Sequence, residues 1–297
     1  MGPLIGILLV VAAVGGGYLG MGGNMSILWQ PYEFVIVAGA SAGIFVLAHP
    51  LPVVKDTLQA IGELFAGKRE KEKDFLELLG LLYTLLRAVK SKGMLQLERH
   101  IEHPEESEFF QQYPTVLRKK RAVRFICDYL RLLSLGTAKP FEIEALMDEE
   151  IRILSKEFHG PTRALKMAAE GLPALGIVAA VLGVIKAMGA INEPPEVLGQ
   201  LIGGALLGTF LGVFLSYGVV DPIASLIRVN RESSISYFVS IKSTILAHLN
   251  GAAPQVAVEY GRKVIHSQTQ PSFAAVEEAT ILDTELGKAA RASVKAA

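Results

Sequence analysis

Side chains able to do proton or metal chemistry are few here and lie outside the most apolar stretches. The six histidines, His49, His100, His103, His159, His248 and His266, show no metal-ligand spacing on one helix face. His100 and His103 stand among Glu98 and Glu102, the pattern of an exposed helical surface. No Ser/His/Asp or Cys/His arrangement stands out, and no Gly-rich phosphate loop precedes a Lys-Ser/Thr pair. The single cysteine, Cys127, excludes a disulfide framework and reads as part of an apolar helical core. A conventional enzyme is therefore the least favoured class, and neither a metal nor another cofactor is expected.

The carboxylates are more informative. Residues 1–32, 34–54, 171–185 and 197–220 contain no Asp, Glu, Lys or Arg; Glu33 and Asp221 stand at the borders of these stretches. Proton-moving membrane proteins usually hold an acid at depth, because a group there must bind and release the ion. If this chain conducts ions, another subunit must supply that acid. The chain itself offers the Thr209 hydroxyl, backbone oxygens, and helix breaks at Pro173 and Pro222, where the missing N–H kinks or hinges a membrane helix.

A membrane helix needs about 20 mostly apolar residues, and four spans fit: roughly 3–21, 33–50, 172–191 and 200–221. The chain has 297 residues, is 51% hydrophobic, and balances 29 basic against 29 acidic residues. That neutrality argues against nucleic acid as a partner, since phosphate binding wants a basic surplus. The first span lacks a positive start and a small-x-small cleavage site, so it is no signal peptide. Between 50 and 170 there are 20 Lys/Arg residues and beyond 225 another 8, whereas 22–32 and 192–199 have none. The positive-inside rule then places both termini and the long middle segment in the cytoplasm.

The expected fold is all-α: an integral membrane protein of four transmembrane helices, with a helical cytoplasmic domain between the second and third. Residues 1–50 form one hairpin, 51–171 the cytoplasmic domain, 172–222 a second hairpin and 223–297 a cytoplasmic tail ending in a variable, Ala- and charge-rich stretch. In the cytoplasmic domain Phe75, Leu78, Leu79, Leu82, Leu85, Leu86 and Val89 make one helical stripe, and Gly93 offers a stop. A short helix is expected over 94–103 and a longer one over 115–135, carrying the basic run 118–121 on a solvated face or near anionic headgroups. The helix over 141–158 has Ile143, Leu146, Met147, Ile151 and Leu154 along one side. Glycine pairs four apart, Gly16/Gly20, Gly39/Gly43, Gly199/Gly203, Gly204/Gly208 and Gly208/Gly212, allow close backbone approach in lipid, within one subunit or between several.

Several segments resemble the MotA family of flagellar motor stator proteins. They include Leu97-Glu98-Arg99-His100-Ile101-Glu102, the acidic run from Phe141 to Glu150, Leu172-Pro173-Ala174-Leu175-Gly176, Gly208-Thr209-Phe210-Leu211-Gly212, the run from Val256 to Lys263, and Pro271-Ser272-Phe273. The resemblance runs in order to about residue 275. It implies an inner-membrane subunit that assembles as five copies around a dimer of MotB, whose single span bears an essential aspartate, and it implies that ion flow drives the rotor.

Residue by residue, the resemblance implies that Pro173 and Pro222 are conformational prolines beside the ion path, and that Thr209 faces the partner's aspartate. Ala180 falls where sodium-driven relatives have threonine, so H⁺ is the expected coupling ion. Tyr217 matches a fourth-span aromatic. Glu98 and Lys90 match the charged positions that meet the rotor protein FliG, with lysine replacing the usual arginine, which keeps the charge and loses the planar fork. Two other readings stand beside this one: an ExbB- or TolQ-like subunit energising an outer-membrane system, and a non-conducting membrane scaffold.

Overall fold

The computed structural model describes residues 2–67, 69–136 and 139–280, without the side chains of Lys92, Leu95 and Gln96. The variable terminal stretch lies almost wholly outside the described residues. Among those described, every regular element is helical. In chain order these are α1 (Gly2–Gly20), α2 (Met25–Leu28), α3 (Pro31–Phe34), a π segment (Val35–Gly39), α4 (Ala40–Ala48), α5 (Leu51–Phe65) and α6 (Glu72–Lys92). A 3-10 turn (Met94–Leu97) leads to α7 (Glu98–Glu102), α8 (Glu108–Gln111), α9 (Pro114–Leu117), α10 (Lys120–Ser134) and α11 (Pro140–Phe158). Then come α12 (Gly160–Gly189), α13 (Pro195–Leu215), a second π segment (Ser216–Val220), α14 (Asp221–Leu249) and α15 (Pro254–Lys263).

Four helical runs are long and apolar enough to cross a membrane: Gly2–Gly20, Met25–Ala48, and the two that contain α12 and α13. The last two extend beyond the apolar stretches, so neither Pro173 nor Pro222 ends a helix. The chain folds as two units.

The first unit comprises Met1–Arg69 and Phe158–Arg231, so 51–69 and 158–171 belong with the apolar hairpins. Its helices start where local chemistry tells them to. Asn24 Oδ1 accepts from the Ser26 N–H at 3.0 Å, and Pro31, Pro161 and Pro195 sit in first turns, where a missing N–H costs nothing. Ala60, Leu64, Leu165, Ala224 and Ile227 form one buried cluster, and Val37, Leu172 and Ala179 another.

The second unit comprises Glu70–Glu157 and the residues from Glu232 onward. Its central helix, α6, buries Leu81 and Tyr83 as well as the expected stripe from Phe75 to Leu86, because α8, α9 and α15 pack around it, while Val89 is only half-buried. Gly93 closes it at φ +80°, a conformation that favours glycine. The helix expected over 115–135 is two helices instead, broken at Lys119 (φ −87°, ψ 72°). The break places Lys119 in an ion pair with Glu70 and 4.1 Å over the Tyr237 ring. The other three residues of the basic run, Arg118, Lys120 and Arg121, stay on the solvated face, where Arg121 pairs with Glu157 at 3.3 Å and Lys120 with Glu105 at 4.0 Å. On α11 the buried line is Ile143, Met147 and Ile151, while Leu146 is half exposed.

Candidate functional site

Glycine and alanine decide how α12 and α13 meet. A Cβ on Gly176 would stand 2.8 Å from the Gly208 carbonyl oxygen and 3.2 Å from Thr209 Cα. One on Gly208 would stand 2.9 Å from the Ala180 nitrogen, and one on Gly212 2.6 Å from the Leu172 oxygen. Backbone therefore rests on backbone along this seam, the arrangement small residues permit in lipid. The seam brings Ala180 and Thr209, both half-buried, to facing backbones. Away from it, α12 exposes Ile177, Val178, Val181, Leu182 and Ile185.

At one end of the seam a proline defect is repaired from the other helix. Pro173 lies inside α12 and has no N–H to give the Ala169 carbonyl, its i−4 acceptor. The hydroxyl of Ser216, a buried residue, donates to that carbonyl at 2.7 Å. Ser216 opens the second π segment, where the Asp221 N–H reaches back five residues to the Ser216 carbonyl. The widened turn lies immediately before Pro222, whose ring would otherwise crowd the Gly218 carbonyl. Tyr217, on the same segment, is 69% exposed, and Pro222 is exposed. Pro173, Tyr217 and Pro222 are thus grouped around one irregular stretch. Ser216 was missed from sequence, since a lone serine does not reveal which carbonyl it will serve.

Two polar residues of the second span also meet this bundle. Gln30 lies against α13, its Nε2 3.2 Å from where a Gly204 Cβ would be. Glu33 has a buried carboxylate oxygen, Oε2, without a hydrogen-bond partner. One turn further, on the same helix face, Val37 is fully buried against Leu172 and Ala179. An acid read as a span border therefore holds one oxygen inside the protein.

In the second unit Lys90 and Glu98 flank the Gly93 turn, and both are exposed. Arg87 and Arg99 are exposed nearby. His100 Nδ1 lies 2.9 Å from Ser107 Oγ.

Comparison with known proteins decides the family. The Motility protein A N-terminal family matches residues 4–93, and the MotA/TolQ/ExbB proton channel family matches 118–239. Motility protein A of Escherichia coli is 44% identical over 275 residues, covering 93% of each chain. This chain belongs to the motility protein A family. It is accordingly a flagellar stator subunit and a multi-pass inner-membrane protein. The fold agrees: it resembles C. jejuni MotAB with a TM-score of 0.73 at 20% identity, covering 91% of this chain and 98% of that one. It also resembles the flagellar MotAB stator complex from Bacillus subtilis, with a TM-score of 0.66 at 22% identity, covering 86% and 92%.

The sequence runs that carry the motility protein A resemblance in the second unit are largely structural. Tyr129 donates to Glu150 at 2.8 Å, and Lys242 pairs with Asp148 at 2.5 Å and Glu144 at 3.7 Å. Buried Arg262 holds Glu259 through two nitrogens, at 2.7 and 2.6 Å, and donates to the Pro271 carbonyl at 3.0 Å. That hydrogen bonding draws the Glu259 carboxyl below the usual carboxylate range. Burial, then the Asp128 charge, pushes the Cys127 thiol up to about 12, with Arg131 opposing, so it is an inert core group.

Proposed function

We propose that this stator subunit conducts protons together with a MotB-like single-span partner, in an assembly of five copies around two partner chains. Both termini face the cytoplasm, and the second unit presses on the rotor protein FliG. The observation that carries this reading is the glycine seam. It forms a tight helix pair with an exposed apolar face, and neither α12 nor α13 carries a carboxylate along the seam from Leu172 to Gly183 and from Gly204 to Gly212. Such a pair can line a passage, while the shuttling acid comes from the partner.

A proton arriving from the periplasm neutralises the partner's aspartate and changes how that helix packs against α12 and α13, beside Ala180 and Thr209. With alanine rather than threonine at 180, the site offers one hydroxyl fewer to a sodium ion. Moving one charge through the membrane field is worth about 2.3 kcal/mol per 100 mV. That is comparable to the few kcal/mol that separate packed states of a helical assembly. Pro173, Pro222 and the π segment with Tyr217 between them supply the place where the helices flex. Lys90 and Glu98 then transmit the step as charged contacts.

The test is proton flux in vesicles. Flux should appear when the chain is co-expressed with a single-span, aspartate-bearing partner and vanish when that aspartate is replaced by asparagine. Equal flux from the chain alone would overturn the division of labour. Motility that collapses on sodium removal but resists a proton uncoupler would overturn the choice of ion.

A further inference from the structure

α1 has no buried residue, and it touches the rest of its unit only locally. A Cβ on Gly218 would lie 3.3 Å from Val10 Cγ1, which places Val10 against the second π segment. Beyond Val10 a cleft of about 620 Å³ separates α1 from α13. Ala13, Gly17 and Tyr18 line one wall, and Gly203, Leu206 and Phe210 the other. The only polar side-chain atom among these six residues is the Tyr18 hydroxyl.

Depth follows from the aromatic residues. Tyr18, Trp29 and Tyr32 gather near this end of the hairpin, with Trp29 and Tyr32 80% and 78% exposed. Amphipathic rings of this kind mark the headgroup level. From Tyr18 and Met21 the cleft runs back along α1 to Ala13, about 12 Å at 1.5 Å per residue. One leaflet's hydrocarbon is about 15 Å deep, so the cleft occupies acyl-chain depth. It is continuous with the apolar surface of α1, where Leu4, Ile5, Leu8 and Leu9 are exposed.

A charge about 10 Å beyond the cleft along α13 bears on the headgroup. Glu196 precedes Gly203 by two helical turns on the same face and is exposed. No Lys or Arg occurs in 1–32 or 192–199. We propose that this cleft binds one acyl chain of an amine-headgroup phospholipid of the phosphatidylethanolamine type, with its ammonium group facing Glu196. The bound chain fills the gap and steadies α1 against α13.

The experiment places the full chain with its partner in vesicles of phosphatidylethanolamine and phosphatidylglycerol, using a photoactivatable acyl chain on one lipid at a time. The ethanolamine probe should label Gly203–Phe210 about fivefold more than the glycerol probe, the size expected from one surface charge. Gly17→Leu, whose Cβ meets nothing within 4 Å, should cut that labelling several-fold and spare labelling at Leu4–Leu9. Glu196→Lys should invert the headgroup preference. Equal labelling by both probes, indifference to Gly17→Leu, or cross-links from the cleft to a second copy or the partner in place of lipid would each overturn the proposal.

Discussion

Ser216 and Pro173 are complementary: the serine hydroxyl, 2.7 Å from the Ala169 carbonyl, replaces the hydrogen bond that the proline cannot make. The bond is buried and joins the third and fourth apolar helices where each departs from regular geometry. A flexible point in a membrane needs such a substitute donor, because water does not reach the exposed carbonyl.

Ser216→Ala should therefore destabilise the assembled protein by about 1–3 kcal/mol, the cost of a buried unsatisfied acceptor. Pro173→Ala restores an N–H to the same carbonyl, so adding Ser216→Ala to that variant should cost much less. Thermal unfolding of the four proteins of this double-mutant cycle measures the coupling. Simple addition of the two effects would mean the serine bond contributes nothing to the proline site.

The seam makes a contrasting prediction for two glycines of one helix. On Gly212 a Cβ would meet the Leu172 oxygen at 2.6 Å and Gly176 Cα at 2.9 Å, whereas on Gly199 it would meet nothing within 4 Å. Gly212→Ala should force α12 and α13 apart at about 1–3 kcal/mol and depress swimming. Gly199→Ala should leave swimming intact and slightly favour the helix. Swimming speed and melting temperature of the two variants check this.

These two cases also show what was legible beforehand. Runs free of charge gave the four spans, since no other arrangement buries about 20 apolar residues in a row so often. The glycine spacing pointed to close packing but not to its partner helix; contact with Gly208 and Gly212 is a three-dimensional fact. Pro173 and Pro222 were visible as disruptions, yet their repair by Ser216 and by the π turn was not, because a helix defect can be satisfied from any neighbour. Within the basic run, Arg118, Lys120 and Arg121 are exposed as their charge suggests, but Lys119 leaves the solvated face to pair with Glu70, and only tertiary packing rewards that. Glu33 looked like a border residue because periodicity says nothing about the burial of one oxygen.

Cys127 supplies a pH signature in the second unit. Folded, its thiol keeps the proton up to about 12, while an unfolded thiol releases it near 9. Between those values the unfolded state binds fewer protons, so stability falls as pH rises, by at most about 1.4 kcal/mol per pH unit from this group. Below 9 the group has no effect. Denaturant unfolding between pH 9 and 10 should slope less for Cys127→Ala than for the parent protein. Thiol alkylation of the native protein at pH 8 should be negligible and should follow unfolding when denaturant is added; rapid labelling without denaturant would contradict the burial.

Glu98 and Lys90 are exposed on either side of a turn fixed by Gly93 at φ +80°. Neither makes an ion pair among the described residues, in contrast to Arg121, Arg131, Arg152 and Lys242. Charges left without intramolecular partners are available to another protein, and reversing one sets like charges face to face at a cost of several kcal/mol. Glu98→Lys should therefore lower the load the motor can drive while leaving proton flux through the complex and the melting temperature unchanged. Lys90→Glu should act in the same direction but more weakly, since exposed Arg87 and Arg99 stand close in sequence to share its contact. Tethered-cell torque measured alongside vesicle proton flux separates the two functions. If flux and torque fall together, these side chains act on the channel and not on the rotor.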